Sequence, residues 1–492
     1  MDDLDDAYRK SENKIIYNKE QKEAISNIIN FIEYGSPKEY YLLEGKAGTG
    51  KTTVIAEVLK NYTTKTILAC ALSHKAKSVI QGVLEKNNIS ATFTSIAGAL
   101  GMDFDIETGR FINGARKIVE RPINKPSIII VDEGSMVNEE IIDLLFSYKR
   151  SGSKLIFLGD IGQLPPIRSK SNDYYADWTD DQLDIVSPIF LTVNKSRLIN
   201  RVRQGEESPI LPFADYFWDN SQAEFPILHP TKEFGYDRKN IYNKNGALIF
   251  VNKSASIMKQ LLELFKKGVE IKDHNFIKFI TYKNNTKNSI NTFIHNSLFP
   301  ESDLFCVGEP IIFNDEYGDI KNSTETEILK VSERDVDKYG VGYYTLELRR
   351  YYNNDELTDV IYIIDNNSKE RHENVVSDLF KLAYKFKNSD RNKYLELLRE
   401  AWGYKKNYAN VDYSYSITSH KSQGSTYNIS VTHETDINSV VPTTNRAKSQ
   451  SIYTSITRAK NMAIIISDLT VKKDFELKKY NLVKLEEKIN NS

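Results

Sequence analysis

The sequence predicts an α/β fold built on parallel sheets. Short, continuously apolar runs alternate with helical periods between residues 20 and 193, a pattern typical of parallel strands covered by helices on both faces. A glycine-rich loop stands between the first apolar run and a helical pattern. At 492 residues the chain is too long for one core, so we expect roughly two to four domains.

The first region contains five predicted strands and four predicted helices. The strands are Tyr40–Glu44, Thr66–Leu72, Ser127–Asp132, Lys154–Gly159 and Ile189–Val193. The helices are Glu20–Glu33, Lys51–Tyr62, His74–Lys86 and Glu139–Lys149. Between them, Met102–Ile112 alternates around a glycine-containing turn and predicts a hairpin that projects from the domain.

A second α/β region begins near residue 188. Its predicted elements are strands Phe276–Thr281, Tyr413–Ile417 and Met462–Ser467, helices Ser254–Lys267 and Lys287–Leu298, and helical patterns near His420 and over Ser449–Lys460. Residues 301–410 differ, with antiparallel strands at Ile311–Phe313, Glu325–Val331, Tyr343–Arg350 and Val360–Ile364, then helices at Val375–Lys387 and Lys393–Trp402. This change predicts an inserted domain.

These patterns predict the domain organisation of the chain. We expect a first domain over 1–187, with the hairpin insertion at about 101–123. A second domain would comprise 188–300 and 411–492, interrupted by an accessory domain over 301–410.

Composition excludes several classes of protein. The 66 basic and 67 acidic residues give a net charge of −1, which argues against a wholly basic nucleic-acid binder and leaves room only for a local groove. Lys195, Arg197, Arg201 and Arg203 form one such local cluster, for which a solvated basic face is the alternative. No apolar run approaches the ~18 residues of a membrane span.

The termini and cysteines are consistent with a cytoplasmic protein. The acidic N-terminus over residues 1–6 lacks the apolar segment of a secretory signal. Only two cysteines occur, Cys70 and Cys306, and neither has metal-ligand spacing. We expect Cys70 to be a core thiol in a reducing compartment.

Residues Gly45–Thr52 read GKAGTGKT and follow an apolar run. Strand, glycine-rich loop and helix in this order form a P-loop, whose backbone N–H groups cradle the phosphates of a nucleoside triphosphate. We expect Lys51 to neutralise the β- and γ-phosphates and the Thr52 hydroxyl to bind Mg²⁺. A glycine-rich turn without ligand is the alternative.

Two further strands end in polar residues. Ser127–Val131 leads into Asp132 and Glu133, where α/β sheets bind ligands. Asp132 is placed to hold Mg²⁺, and Glu133 to act as general base toward the attacking water. Gln163 lies beyond the strand that ends at Gly159 and is suited to sensing a γ-phosphate. Taken alone, Gln163 would be an ordinary loop amide.

Polar motifs also occur near the C-terminal end. The segment 418–426 combines hydroxyl residues, a lysine and a glycine at a strand-to-helix turn, which suits contacts to a phosphate backbone, with a helix cap as the alternative. Arg458 follows at residues 453–459, and an arginine on a second domain can reach a γ-phosphate across a cleft. Arg203 is a second such arginine, for which a surface ion pair is the alternative.

Together the motifs resemble superfamily 1 helicases of the 5′-to-3′ branch, closest to the Dda and RecD type. The resemblance runs from Gln21 to about Ser467. The blocks that carry it are Asn18–Gln21, Gly45–Thr52, Asp132–Met136, Gly159–Pro166, Arg203–Gln204, His420–Gly424 and Thr457–Ala459. Two positions depart from the family: Leu72–Ser73 replaces the usual Pro-Thr, and Gly134 replaces a bulkier residue.

The resemblance implies two RecA-like domains that bind ATP and Mg²⁺ between them. It implies that Gln21 reads the adenine and that Lys51, Glu133, Gln163, Arg203 and Arg458 are the catalytic residues. The implied ATP-binding residues are Gln21, Gly45, Ala47, Gly48, Thr49, Gly50, Lys51, Thr52 and Thr53. The implied magnesium ligands are Thr52 and Asp132.

The resemblance also implies a path for single-stranded DNA across both domains. The implied DNA contacts are Ser73, His74, Lys75, Thr94 with Ser95, Phe104, Phe111, Thr418, His420 and Lys421. The hairpin corresponds to a strand-separating pin on which Phe104 or Phe111 stacks at the junction. The alternative is that both aromatic residues pack onto their own domain. The 301–410 insertion corresponds to an SH3-like accessory domain.

We therefore expect an ATP-dependent DNA helicase that moves 5′-to-3′ and acts in replication or recombination, in the cytoplasm or in a phage host's cytoplasm. Expected partners are single-stranded and fork DNA, with a single-strand-binding or replisome protein as a further candidate, and no membrane. We expect a monomer. Two alternatives remain: an ATP-driven clamp that does not separate strands, and RNA as the track.

Overall fold

A computed structural model gives the fold. It describes residues 16–72, 74–105, 110–112, 118–166, 168, 186–201, 208–222, 240–252, 254–302, 304–352, 355–439, 445–467, 482, 484, 486 and 487. Within these ranges, no helix is both long enough and apolar enough to cross a bilayer.

The first domain is a parallel sheet of six strands. Its strands and those of the hairpin are β1 (Tyr40–Gly45), β2 (Ile67–Ala71), β3 (Thr92–Ser95), β4 (Asp103–Asp105), β5 (Arg110–Ile112), β6 (Ile128–Asp132), β7 (Lys154–Gly159) and β8 (Lys195–Leu198). The sheet order is β3-β2-β6-β7-β1-β8, and each of its pairs is parallel. The predicted α/β fold with parallel sheets is confirmed.

Helices cover both faces of this sheet. They are α1 (Lys19–Tyr34), α2 (Lys51–Leu59), α3 (His74–Lys86), α4 (Ile96–Ala99) and α5 (Glu139–Tyr148), with short 3₁₀ turns at Lys60–Tyr62, Ile118–Glu120, Pro122–Asn124 and Gly134–Met136. Strands such as β2 and β6 are buried along their whole length. Apolar strand residues therefore pack on both sides, in two separate clusters.

One predicted strand is wrong. Residues Pro188–Leu191 form a 3₁₀ turn, whereas the sequence predicted a strand over Ile189–Val193. Pro188 lacks an N–H and begins the turn, and Ser187 caps it. The strand lies later, at β8, and pairs with β1. The first sheet therefore extends beyond the predicted domain boundary at residue 187.

The predicted hairpin is present in the backbone. Strands β4 and β5 pair antiparallel, and Phe104 and Phe111 are register partners. Residues 106–109, which include the predicted turn, lie outside the described part of the chain.

The second domain has its own six-stranded sheet. The strands from here on are β9 (Ile241–Asn243), β10 (Gly246–Val251), β11 (Ile277–Thr281), β12 (Pro310–Phe313), β13 (Glu325–Val331), β14 (Asp335–Val336), β15 (Gly342–Tyr352), β16 (Asp355–Ile364), β17 (Val411–Tyr413), β18 (Ser416–Thr418), β19 (Tyr427–His433) and β20 (Ala459–Ile466). The sheet order is β18-β11-β19-β20-β10-β9, with β9 alone antiparallel. Strands β10 and β19 were not predicted.

The remaining helices belong to the second domain and to the insertion. They are α6 (Ile210–Gln222), α7 (Ala255–Glu270), α8 (Asn284–Leu298), then α9 (Lys369–Tyr384) and α10 (Arg391–Lys406) of the insertion, and finally α11 (Ser419–Ser422), α12 (Glu434–Asn438) and α13 (Asn445–Ile456). Helix α6, also not predicted, packs with α13 and β10 in one apolar cluster.

The insertion is an antiparallel sheet followed by a helical pair. Its strand order is β14-β15-β13-β12-β17, with β16 paired to β15. Helices α9 and α10 follow β16, and the SH3-like description remains a prediction. The predicted strand Tyr413–Ile417 is in fact split: β17 joins the inserted sheet and β18 joins the second domain.

Buried ion pairs join the insertion to the second domain. Lys278 of β11 is fully buried, and its ammonium group lies 2.5 Å from the Glu325 carboxylate of β13. That carboxylate also accepts hydrogen bonds from Ser414 at 2.8 Å and Tyr427 at 3.1 Å. Because a buried charge is costly unless it is paired, this contact fixes the two sheets against each other.

Substitution tests this anchor. Lys278→Met leaves the buried Glu325 carboxylate without its cation, so we expect a loss of about 3–5 kcal/mol in the free energy of unfolding. Lys330→Met is the control, because the Lys330–Glu347 pair is exposed and contributes less than about 1 kcal/mol. Urea unfolding followed by tryptophan fluorescence measures both. Equal effects of the two substitutions would contradict the anchor.

Candidate nucleotide site and DNA-contact motifs

The glycine-rich loop follows β1 and opens α2, as predicted. Gly48 and Gly50 adopt φ values of 81° and 83°, a left-handed region that favours glycine. Gly50 directly precedes the helix, which begins at Lys51. The loop therefore places its N–H groups and the helix N-terminus at one point, which is the geometry of an anion site.

Side chains brace this loop from within. The Lys51 ammonium donates to the carbonyl oxygens of Gly45 at 2.7 Å and Lys46 at 3.2 Å. The Thr49 hydroxyl donates to the Lys46 carbonyl at 2.9 Å. Thr52 and Thr53 occupy the next positions of α2. These contacts keep the Lys51 ammonium at the mouth of the loop. An incoming phosphate would replace the two carbonyl oxygens as its partner.

Gln21 is buried beside the same loop. Its amide nitrogen donates to the Thr49 carbonyl at 3.0 Å, and its amide oxygen accepts from the Asn18 N–H at 3.0 Å. The Asn18 side-chain oxygen in turn accepts a hydrogen bond from the Gln21 N–H, which completes a capping box at the start of α1. Gln21 thus positions the P-loop, and its role in reading adenine remains a prediction.

Asp132 and Glu133 end strand β6, as predicted. Burial, followed by the Glu133 charge, raises the pKa of Asp132 to about 7. Burial also raises the pKa of Glu133, against the opposing charges of Arg458 and Lys51. Glu133 has a φ of 53°, which is unfavourable for a non-glycine residue and is concentrated at functional sites. Both carboxylates therefore face the charge of the P-loop lysine.

Gly134 departs from the family for a steric reason. A Cβ added there would lie 2.7 Å from Ile189 Cδ1 and 3.1 Å from the Leu158 carbonyl oxygen. The 3₁₀ turn that replaces the predicted strand brings Ile189 into this space. A larger side chain would displace the turn that follows Glu133.

The residues suit a magnesium ion. Mg²⁺ is usually bound by one or two protein oxygens together with phosphates and water. Thr52 supplies a hydroxyl and Asp132 a carboxylate, and the latter lies close enough to Lys51 for its pKa to feel that charge. Within the described residues no group of three or more His, Cys, Asp or Glu forms a metal cage, and the magnesium site remains a prediction.

Asp160 links several elements around the loop. This buried carboxylate accepts hydrogen bonds from the Trp218 indole at 2.7 Å, the Gly162 N–H at 3.0 Å and the Tyr453 hydroxyl at 2.8 Å. Trp218 and Tyr453 belong to the second domain. The sequence identified the Gly159–Asp160 motif but neither contact: helix α6, which carries Trp218, was not predicted, and the pairing with Tyr453 joins residues that are distant in sequence.

Gln163 also lies at the domain boundary. It is buried, and its side-chain oxygen accepts from the Gln423 amide at 3.5 Å. Gln450 donates to the neighbouring Ile161 carbonyl at 2.8 Å. The predicted sensor therefore contacts the motif of residues 418–426 directly, which supports a role at the junction of the two domains.

The second domain closes over the P-loop through α6. The Lys46 ammonium lies 3.1 Å from the Asp215 carboxylate and 4.3 Å from the centre of the Trp218 ring. Arg201 donates to the Ala47 carbonyl at 3.0 Å and to Asp215 at 2.8 Å. One member of the basic cluster thus has a defined place in the cleft. The pairing of Lys46 and Arg201 with Asp215 therefore holds the two domains together at the loop.

Arg458 lies on the second domain and acts on the first. Its guanidinium donates to the Thr454 carbonyl at 3.0 Å and the Ser425 carbonyl at 3.2 Å. It is buried, and its charge lowers the pKa of Glu133 against the effect of burial. Arg458 therefore faces Glu133, and the catalytic role of both residues remains a prediction. Arg203 lies outside the described residues.

The motif near residue 420 is braced by the insertion. Thr418 caps helix α11 by accepting from the Lys421 N–H at 3.4 Å. The Lys421 ammonium donates to Asn314 at 2.7 Å, and burial lowers the pKa of Lys421. The His420 ring lies 5.7 Å from the Tyr282 ring, and burial lowers its pKa. The structure shows Thr418 as the helix cap, and contact of this motif with a phosphate backbone remains a prediction.

The predicted DNA-contact motifs of the two domains lie next to each other. A Cβ added at Gly424 would lie 3.3 Å from the backbone nitrogen of Ala76, within the first turn of the helix that begins at His74 with Lys75. Thr94 and Ser95 end the adjacent strand β3, and Ser95 caps α4 by accepting from the Gly98 N–H at 3.1 Å. Ser73 lies outside the described residues.

Comparisons with known proteins agree with this arrangement. The AAA domain family model matches residues 16–176. An uncharacterised protein of Acanthamoeba polyphaga mimivirus, R530, is 25% identical over 90% of this chain and 98% of its own length. The ATP-dependent DNA helicase dda of Enterobacteria phage T4 is 22% identical over 60% of each chain.

One solved structure shares the fold. It comes from work on DNA unwinding at forked dsDNA by two coordinating Pif1 helicases, and it matches 97% of this chain and 98% of its own with a TM-score of 0.51 at 16% identity. Relatives also include a RecD subunit. The predicted resemblance to superfamily 1 helicases of the Dda and RecD type is thereby confirmed.

The raised pKa of Asp132 predicts a pH effect on stability. Between the ordinary pKa of 3.8 and about 7, the folded protein holds a proton that the unfolded chain has released. Stability therefore falls as pH rises through this window. The Asp132→Asn side chain carries no charge and escapes this loss of stability. In EDTA, the melting temperature of the variant relative to that of the parent should therefore rise from pH 5 to pH 7 and then level off.

The exposed Asp143 supplies the control, since Asp143→Asn should leave the pH dependence unchanged. Thermal unfolding at four or five pH values measures both substitutions. A pH-independent difference between Asp132→Asn and the parent would contradict a buried carboxylate with a raised pKa.

Proposed function

We propose that the chain, as a superfamily 1 helicase of the 5′-to-3′ branch, uses ATP hydrolysis to move along single-stranded DNA and to separate duplex strands. The P-loop family match and the helicase relatives support an ATP-hydrolysing DNA helicase. The observation that carries the proposal is the cleft itself. There Lys51 and Glu133 of one domain meet Arg458 of the other.

The nucleotide half of the cycle follows from these positions. Lys51 binds the β- and γ-phosphates, Glu133 orients and deprotonates the attacking water, and Gln163 contacts the γ-phosphate. Arg458, with Arg203 by family resemblance, stabilises the charge that develops on the γ-phosphate. Magnesium held by Thr52 and Asp132 would neutralise phosphate charge. Because the two domains share this site, nucleotide binding and loss change the cleft between them.

The DNA half lies where the motifs of the two domains meet. His74, Lys75 and Thr94 of the first domain and Thr418, His420 and Lys421 of the second contact the phosphate backbone, together with Ser73. If each domain grips the strand with a strength that depends on the cleft, one cycle of hydrolysis moves the protein along it. The β4–β5 hairpin acts as the pin, and the insertion acts as an SH3-like accessory domain that holds DNA.

The cellular setting is part of the same proposal. The protein works as a monomer on single-stranded and forked DNA in the cytoplasm, in replication or recombination. A single-strand-binding or replisome protein is its partner there. A Pif1 structure described for forked dsDNA lends support to fork DNA as a substrate class.

Two substrates test track, direction and strand separation together. With ATP and Mg²⁺ the protein should unwind a duplex with a 5′ single-stranded overhang and leave one with a 3′ overhang intact. Gel separation of labelled strands measures the products. Displacement of streptavidin from DNA without duplex opening would instead indicate a clamp, and preference for an RNA overhang would indicate RNA as the track.

The P-loop lysine provides a second test. Lys51→Ala removes the cation at the β- and γ-phosphates, so both ATP hydrolysis and unwinding should fall to background. Lys65→Ala, an exposed lysine outside the cleft, is the control and should retain both activities. Phosphate release and strand separation are the measurements. Normal hydrolysis by Lys51→Ala would refute the site.

The pin proposal is tested on the hairpin. Phe104→Ala and Phe111→Ala each remove a ring that would stack at the junction, where stacking is worth ~1–3 kcal/mol per base. Unwinding should therefore fall about tenfold while DNA-stimulated ATP hydrolysis is retained. Ile112→Ala, an apolar residue of the same hairpin, should leave the ratio of the two activities unchanged. If neither phenylalanine separates the activities, the hairpin is not a pin.

A further inference from the structure

Tyr453 makes a contact that the mechanism above does not use. Its hydroxyl accepts a hydrogen bond from the N–H of Ala47 at 3.0 Å and donates to the Asp160 carboxylate at 2.8 Å. The residue is fully buried on helix α13 of the second domain. We propose that this hydroxyl competes with a nucleotide phosphate for the Ala47 N–H, and so links nucleotide arrival to the position of Arg458. The inference rests on the proposed function.

Ala47 is the third residue of the P-loop. Backbone N–H groups of this loop are the donors that cradle phosphates. Each such group carries a single hydrogen, and in the structure that of Ala47 points at an oxygen of the opposite domain. A phosphate oxygen that takes this hydrogen must displace the tyrosine hydroxyl, so nucleotide binding has a direct consequence for α13.

Asp160 determines how the hydroxyl is oriented. The Tyr453 hydroxyl hydrogen points to Asp160, which leaves an oxygen lone pair to accept from the Ala47 N–H. Trp218 and the Gly162 N–H hold the other carboxylate oxygen in place. Burial raises the pKa of Tyr453 well above its usual value, so the hydroxyl keeps its proton. The Tyr453 hydroxyl oxygen is therefore already oriented to accept a hydrogen bond from the loop.

The same residue is tied to the arginine. The Tyr453 carbonyl accepts from the Thr457 N–H at 3.0 Å and from the Thr457 hydroxyl at 2.9 Å. The Arg458 guanidinium in turn donates to the Thr454 carbonyl at 3.0 Å. Loss of the Ala47 contact therefore removes one of the two hydrogen bonds that hold the Tyr453 side chain against the first domain, and with it one restraint on the turn that carries Arg458. Tyr453 acts as a positioning residue, and Arg458 remains the group that contacts the γ-phosphate.

Removal of one oxygen atom tests the proposal. Tyr453→Phe keeps the ring and its packing but removes the competitor for the Ala47 N–H. Because a neutral hydrogen bond contributes modestly, we expect about two- to tenfold tighter binding of a fluorescent ATP analogue without DNA. The KM for ATP in the absence of DNA should fall likewise, whereas the stimulation of kcat by single-stranded DNA should decrease.

Tyr415→Phe is the matched control. Tyr415 is also buried, and its hydroxyl donates to Glu309 of the insertion at 2.7 Å rather than to the P-loop. Its loss should leave nucleotide affinity unchanged. If Tyr453→Phe does not fold, Asp160→Asn tests the same point, since an amide donates to the tyrosine oxygen and disfavours its contact with Ala47. It too should tighten binding.

The outcomes separate this inference from the proposed function. Unchanged or weaker nucleotide binding by folded Tyr453→Phe, or equal tightening by Tyr415→Phe, would overturn it. The binding titration requires neither DNA nor unwinding. A parent protein that binds nucleotide but unwinds no duplex would refute the helicase function and leave the competition for Ala47 measurable.

Discussion

The structure depends on a P-loop that is held from both sides of a domain boundary. Its own domain contributes Gln21 and Arg201, and the second domain contributes Asp215 and Tyr453. Ala47 and Ile161 of the first domain even pack against the apolar cluster of the second. A ligand that enters the loop therefore changes the contacts that fix the position of the second domain. Motor action requires this property, because a shared site is what converts phosphate chemistry into relative domain movement.

The insertion moves together with the second domain for a similar physical reason. Three carboxylates of the insertion are buried against the second domain: Glu325 pairs with Lys278, and Glu309 and Glu327 contact the rings of His295 and His274. Separating the domains would leave these buried carboxylates without their partners, which is costly. Lys421 extends the connection to the motif of residues 418–426, since it bonds to Asn314. Movement of the second domain is thus transmitted to the insertion and to the motif for which DNA contact is proposed.

Local patterns predicted much of this fold, and long-range packing explains the rest. The first sheet, the P-loop and the ends of strands β6 and β7 follow from apolar runs and glycine placement. Strand Ile189–Val193 was predicted wrongly because Pro188 and the Ser187 cap form a turn that apolar content alone does not reveal. Tyr453 and Trp218 were not predicted to matter, since their importance comes from Asp160, which is distant in sequence. The reason for glycine at position 134 also lies in long-range packing, since Ile189 occupies the space that a side chain would need there.

The central claim is that contact with DNA and chemistry at the P-loop are coupled across the domain boundary. The most direct measurement is the rate of ATP hydrolysis as a single-stranded oligonucleotide is titrated into the protein. The account predicts a rate that rises and saturates with oligonucleotide, because bound DNA at the joined motifs favours the closed cleft. A rate that stays constant across the titration, with DNA binding verified in the same samples, would contradict it.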